Sequence, residues 1–141
     1  MSNYAARAYA SVGVHTAVEA ATPHKLILML YDGLLKQLRL GKAHMQRGEL
    51  GRKAISLSKA MSILDQGLRL NLDREAGGKI AIQLHALYEY CERRVLHANL
   101  RNDAAALDEV IQLIEPLRTA WQTISPDAQR PAPTPAQGAA R

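Results

Sequence analysis

Apolar residues recur every three or four positions along four stretches of the chain, flanked by two ends where no period holds. Residues 1–21 contain scattered apolar members (Tyr4, Tyr9, Val12, Val14, Val18) and read as an irregular or short helical cap segment. Thr22-Pro23 then has the form of an N-cap followed by proline at the first helical position. The helix it opens is expected to run to about Arg47. Its charged residues Lys25, Asp32, Lys36 and Arg39 fall at spacings of seven, four and three, a narrow polar wedge. A helix apolar around most of its circumference needs neighbours on more than one side, so this one is expected at the centre.

Gly48 interrupts the pattern, and a second helix is expected from near Leu50. Leu50, Ala54, Leu57, Met61, Leu64, Leu68 and Leu72 form a near-heptad seam, with Ile55, Ile63 and Leu70 apolar but off it. The pair Gly77-Gly78 marks the next break, because two glycines carry a large backbone entropy cost inside a helix. A third helix follows from about Lys79 to Asn99, with Ile80, Leu84, Leu87, Cys91 and Val95 inward. Asn102-Asp103 offers a cap for a fourth, carrying Leu107, Val110, Ile111, Ile114, Leu117 and Trp121 to about Ile124. Pro116 inside it should kink the helix or remove a backbone hydrogen bond. Short connections between long helices predict an all-α, antiparallel four-helix bundle over residues 22–124. The proline- and alanine-rich residues 125–141 have nothing to bury and are expected to be a disordered tail.

Composition sharpens this picture. A chain of 141 residues, 48% hydrophobic, is large enough for one core without metal or disulfides. Aromatic content is 4% with no Phe, so Leu, Ile, Ala and Met must do the packing, which speaks against a β-sandwich or barrel. The lone Cys91 has no intramolecular partner and suits a reducing compartment. The N-terminus lacks an apolar signal region, Arg7 interrupts its small residues, and the longest apolar run, Leu26 to Tyr31, ends at Asp32. A membrane span needs about 20 residues. A cytoplasmic protein with no stable membrane insertion is expected.

The candidate chemistry is sparse. No Glu has a His three residues later, no His-Glu-x-x-His occurs, and His15, His24, His44, His85 and His97 are scattered, so they read as surface or capping residues. Gly77-Gly78-Lys79 lacks the leading glycine of a phosphate loop, and no Gly-x-Ser-x-Gly elbow is present. Cys91 sits at an inward position and reads as a packed thiol. Neither enzyme activity, nor a metal, nor a cofactor is expected. The net charge of +5 admits a basic helical nucleic-acid-binding module as the alternative reading, although acids intersperse the later helices and no DNA-reading motif appears.

The apolar surplus says more. Ile55, Ile63 and Leu70 lie beyond the stripe a bundle helix requires. They belong either to a deeper core overlain by the N-terminal segment, or to a groove for a partner's amphipathic helices. Both hold if Tyr4, Tyr9, Val12 and Val14 form a removable cover over that groove.

Several blocks resemble the flagellar secretion chaperones of the FliS family. They are Ala8-Tyr-Ala-Ser-Val-Gly-Val14, Ala21-Thr-Pro-His-Lys-Leu-Ile27 with Met29-Leu-Tyr-Asp-Gly33, and Ser58-Lys-Ala-Met-Ser-Ile-Leu-Asp65. Leu87-Tyr-Glu-Tyr-Cys-Glu-Arg-Arg-Val-Leu-His-Ala-Asn-Leu-Arg-Asn-Asp103 and Ala120-Trp-Gln-Thr-Ile-Ser125 continue the match in order and spacing. The resemblance implies a cytoplasmic bundle that holds the disordered C-terminal segment of flagellin, prevents its premature polymerisation, and delivers it to the flagellar type III export gate. It also implies that the N-terminal segment covers part of the groove, and that Tyr9 takes part in docking at the gate. The chain departs from the family's frequent Asn-Pro-Tyr start, with Asn3-Tyr4-Ala5 in its place, and carries Cys91 where relatives often have Met. Which flagellin is bound, and whether the chaperone forms a homodimer, the sequence leaves open.

Overall fold

A computed structural model describes residues 22–124. Four helices follow in order among them: α1 (Pro23–Gln46), α2 (Leu50–Ser62), α3 (Arg74–Arg101) and α4 (Ala104–Thr123), with π-helical turns (Ile63–Arg69) extending α2. Each helix packs against its chain neighbours and α4 closes back onto α1, the ring of contacts of an antiparallel four-helix bundle.

The caps fall where the residue types require them. The Thr22 hydroxyl accepts a hydrogen bond from the Lys25 backbone N–H at 3.1 Å, with Pro23 at the first helical position. Gly48 adopts φ +72°, a left-handed conformation that lets the Glu49 N–H turn back to the His44 carbonyl and close α1. Asn102 does the same for α3 with φ 52°, and the Asp103 N–H reaches the Ala98 carbonyl. Asp103 then caps α4, its carboxylate accepting from the Ala106 N–H. Behind this turn lies Lys53, almost fully buried, whose Nζ donates to the Asn99 carbonyl (2.8 Å) and to Asn102 Oδ1 (2.7 Å). A lysine of α2 therefore satisfies an end carbonyl of α3, and the favourable end of that helix's dipole offsets the burial of its charge.

As expected of the central helix, α1 buries Leu26, Leu30, Tyr31, Leu34, Leu35, Leu38 and Met45, while its polar wedge is exposed. Opposite it, Tyr88 of α3 is buried, and its hydroxyl meets that of Tyr31 at 2.5 Å. Burial pushes both hydroxyls above the ordinary tyrosine range. Gly41 lets α1 and α2 approach closely, since a Cβ there would lie 2.4 Å from Leu57 Cδ2. Ion pairs lace the seam between α1 and α4: Asp32 with Arg118, Arg39 with Glu115, and Lys42 with Asp108. α4 passes through Pro116 as one helix; Pro116 and Gln112 are both exposed, so the carbonyl left without its partner lies on the solvent side.

Three inward or groove assignments change. Ile63, expected among the partner-binding residues, is fully buried in the core. It lies about 80° around the wheel from Ile55. α2 packs on both α1 and α3, so its inward arc is wide enough to take in Ser56, Ala60 and Ile63 as well as Leu57 and Leu64. Leu50, placed on the seam, is half-exposed because it occupies the first turn of α2. Ile80, placed inward, is 68% exposed. It follows the break at Gly78 (φ 57°, ψ −134°), and the inward series of α3 starts at Ala81. A stripe reports which side of a helix faces in, not whether a neighbour reaches that far.

Candidate docking groove

The seam between α2 and α3 is incompletely filled. A hollow of about 170 Å³ is lined by Leu57, Ser58 and Met61 from α2 and by Val95, Leu96 and Asn99 from α3. A second, of about 280 Å³, continues it toward Arg69, Glu89, Glu92 and Arg93; Met61 and Leu96 line both. Leu57 and Val95 belong to the core and form the floor, while Leu96 is 48% exposed on the rim. Leu100, one turn further along α3, is 72% exposed. Shallow, elongated and apolar at one end, this is the shape that receives an amphipathic helix rather than a small molecule. A larger depression of about 650 Å³ runs along α4 past Gln112, Glu115, Pro116, Thr119, Ala120 and Thr123. It has one helix for a wall and lies open, so it offers a partner little to grip.

The polar end of the groove is set by the π-helical turns. Their wider winding, closed by the Leu70 N–H on the Asp65 carbonyl (3.0 Å), carries Arg69 between two carboxylates. Arg69 pairs with Asp65 on its own helix and with Glu92 on α3 at 2.9 Å. Burial raises the Glu92 carboxyl above the usual range, partly offset by the Arg69 charge. On the other side of α3, Glu109 accepts from Tyr90 (2.5 Å) and Arg94 (2.7 Å), which closes the α3–α4 seam with polar contacts. Those two donors hold the Glu109 carboxyl below the ordinary range.

Of the residues singled out in the sequence, Ile55 (60% exposed) and Leu70 (45% exposed) present apolar surface on and just past α2. Neither is among the residues that line the groove. Tyr4, Tyr9, Val12 and Val14 lie outside the described residues. The sequence reading missed Leu96 and Leu100. Their spacing of four, off the inward register of α3, is the same surplus criterion that singled out Ile55. Cys91 is fully buried, with its thiol pushed up to about 12 chiefly by burial. The described histidines each have a hydrogen-bonding or ion-pair partner: His24 with Trp121, His44 with Glu49, His85 with Glu89, and His97 with Asp103.

This arrangement defines a class: a helical bundle with a groove between two helices and, among the described residues, no side-chain group able to hold a metal. The family model described as flagellar protein FliS matches residues 5–128. The flagellar secretion chaperone FliS of Salmonella typhimurium is 48% identical over 122 residues, covering 86% of this chain and 90% of that protein. Its namesake from Escherichia coli K12 is 43% identical over 84% of this chain and 90% of its own length. The Vibrio cholerae protein of the same name is 40% identical over 86% of this chain and 88% of its own. The chain belongs to the FliS family of flagellar secretion chaperones, and it is not an enzyme.

Proposed function

We propose that the protein is a cytoplasmic export chaperone whose α2–α3 groove takes a helical part of flagellin's C-terminal segment. Its task is to keep that segment from polymerising and to deliver it to the flagellar type III export gate. The observation that carries this reading is the unfilled apolar seam lined by Met61 and Leu96, with exposed Leu100 one turn beyond Leu96, in a chain of this family. Among the described residues no helix is long and apolar enough to cross a membrane, which agrees with a chaperone that works away from the bilayer.

Ordering a disordered segment along the bundle buries on the order of 1,000–3,000 Å² and gives a negative heat-capacity change. Calorimetric titration with the host flagellin's C-terminal segment at several temperatures tests this; no heat and no shift in stability would end the proposal. Salt separates it from the nucleic-acid alternative, because phosphate binding weakens by orders of magnitude between about 50 and 200 mM salt, whereas apolar burial changes little.

Residues 1–14 enter as a cover for the groove in the free chaperone, with Tyr4, Tyr9, Val12 and Val14 as its apolar contacts and Tyr9 docking at the gate. Deleting residues 1–14 should raise affinity for the flagellin segment if the cover competes, or lower it if these residues also grip the partner. An unchanged affinity would remove the cover from the scheme.

A further inference from the structure

The charges at the polar end of the groove are unevenly satisfied. Glu89 and Glu92 line it together with Arg69 and Arg93, two carboxylates and two guanidiniums. Arg69 is taken up by Asp65 and Glu92. Arg93 is one helical turn from Glu89, yet its guanidinium lies over the Tyr90 ring, 5.8 Å from the centroid. Glu89 is left with the His85 ring at 3.6 Å as its partner, and its side chain is about half-exposed at the groove wall. Along α3, Glu89 and Asn99 mark the two ends of the groove, ten residues apart. That is about 15 Å, or nearly three turns of helix.

We infer that Glu89 is a specificity-determining residue of the groove, pairing with a lysine or arginine that follows the apolar stripe of the docked helix. The inference rests on the proposed docking of a flagellin helix and fixes its direction and chemistry. The apolar anchors lie over Met61 and Leu96, and the cation lies at the Glu89 end. Arg93 is drawn aside over the Tyr90 ring and Arg69 is engaged by Asp65 and Glu92, which leaves the Glu89 carboxylate as the one lining the hollow without a guanidinium partner among the described residues. The apolar seam supplies affinity, and Glu89, held only by the longer contact to His85, supplies register, since a helix docked the other way round presents its cation to Ser58 and Asn99 instead.

The test uses the full chain with Glu89→Gln and Glu89→Lys variants, whose exposed position leaves folding intact by circular dichroism. Against the flagellin C-terminal segment, Glu89→Gln should weaken binding by about two- to fivefold and Glu89→Lys by on the order of tenfold. Equal affinity for all three chains would overturn the inference while leaving the chaperone reading standing. If the wild-type chain fails to bind the flagellin segment, the chaperone reading falls, and a second measurement still decides the inference. Two synthetic amphipathic helices with one apolar face, differing in a terminal Lys or Glu, are titrated into wild type and Glu89→Lys. A preference for the Lys peptide that reverses in the variant supports the pairing. Indifference in both chains, or no binding of either peptide, refutes it.

Discussion

His24 and Trp121 each donate from a side-chain ring to the other's backbone carbonyl. His24 Nε2 and Trp121 Nε1 both make 2.9 Å bonds, and the rings stack at 5.3 Å with a 14° tilt. The clasp ties the first turn of α1 to the last turn of α4 and fixes the His24 tautomer as Nε2–H. Trp121→Phe keeps most of the stacking and should cost about 0.5–1.5 kcal/mol; His24→Ala loses bond and stacking together, about 1–2 kcal/mol. Urea unfolding followed by circular dichroism measures both. Midpoints identical to wild type would mean that the ends of α1 and α4 are held by something else.

Two glycines should respond oppositely to the same change. Gly41→Ala drives a methyl into Leu57 and is expected to destabilise by about 1–3 kcal/mol. Gly51 lies in the exposed first turn of α2 with nothing within 4 Å of a Cβ, so Gly51→Ala should stabilise by a few tenths to ~1 kcal/mol. Thermal melts of the pair settle it, and the same sign for both would contradict the close approach of α1 and α2.

Lys53→Met keeps the aliphatic stem of Lys53 but removes the donor to the α3–α4 turn, leaving the Asn99 carbonyl without that partner. A loss of about 1–3 kcal/mol is expected. Asn102→Ala should cost more than Asn102→Gly, because only glycine adopts the positive φ without strain. Hydrogen exchange would show the effect first in the amides of the last turn of α3. Unchanged protection there in Lys53→Met would refute the role assigned to the lysine.

Stability should fall as pH rises above about 9. The Cys91 thiol has its pKa raised from 9.0 to about 12 by burial, so between those values the unfolded chain releases a proton that the folded chain keeps. Stability is therefore complete below pH 9 and is lost on the way to 12, with a limiting slope of about 1.4 kcal/mol per pH unit. The raised tyrosine pair acts in the same direction. Cys91→Ala should flatten the pH 9–10.5 region of the profile while lowering stability overall, and equal slopes in the two chains would rule out the thiol as the source.

In the groove, Leu96→Asp should weaken flagellin binding by about 2 kcal/mol or more while the bundle stays folded. Ile63→Ala should instead destabilise the bundle by about 2–5 kcal/mol and leave the affinity of the folded fraction unchanged. If Ile63→Ala alone reduces that affinity, the groove has been drawn on the wrong side of α2.

Much of this was legible from residue types. Thr22-Pro23, Gly48 and Asn102-Asp103 marked where helices start or stop, because caps and left-handed turns depend on local backbone chemistry, whereas α3 starts at Arg74, ahead of the expected Lys79, and Gly78 only kinks it. Ile55 and Leu70 are exposed, in keeping with the surplus they presented, but Ile63 met a neighbour from each side and Ile80 met none among the described residues. Leu96 and Leu100 escaped notice because α3 already has a complete inward stripe.

The sequence by itself determined an all-helical bundle, its breaks at Gly48 and Asn102-Asp103, and the family, since periodicity, capping and ordered blocks are carried by the chain alone. Only the tertiary structure decided which apolar residues form the wall of a groove and which fill the core. Exposure is a property of two surfaces. The arc that α2 buries depends on where α1 and α3 lie, the reach of Lys53 depends on where α3 ends, and the pairing of Glu89 with His85 rather than a guanidinium depends on where Arg69 and Arg93 are held.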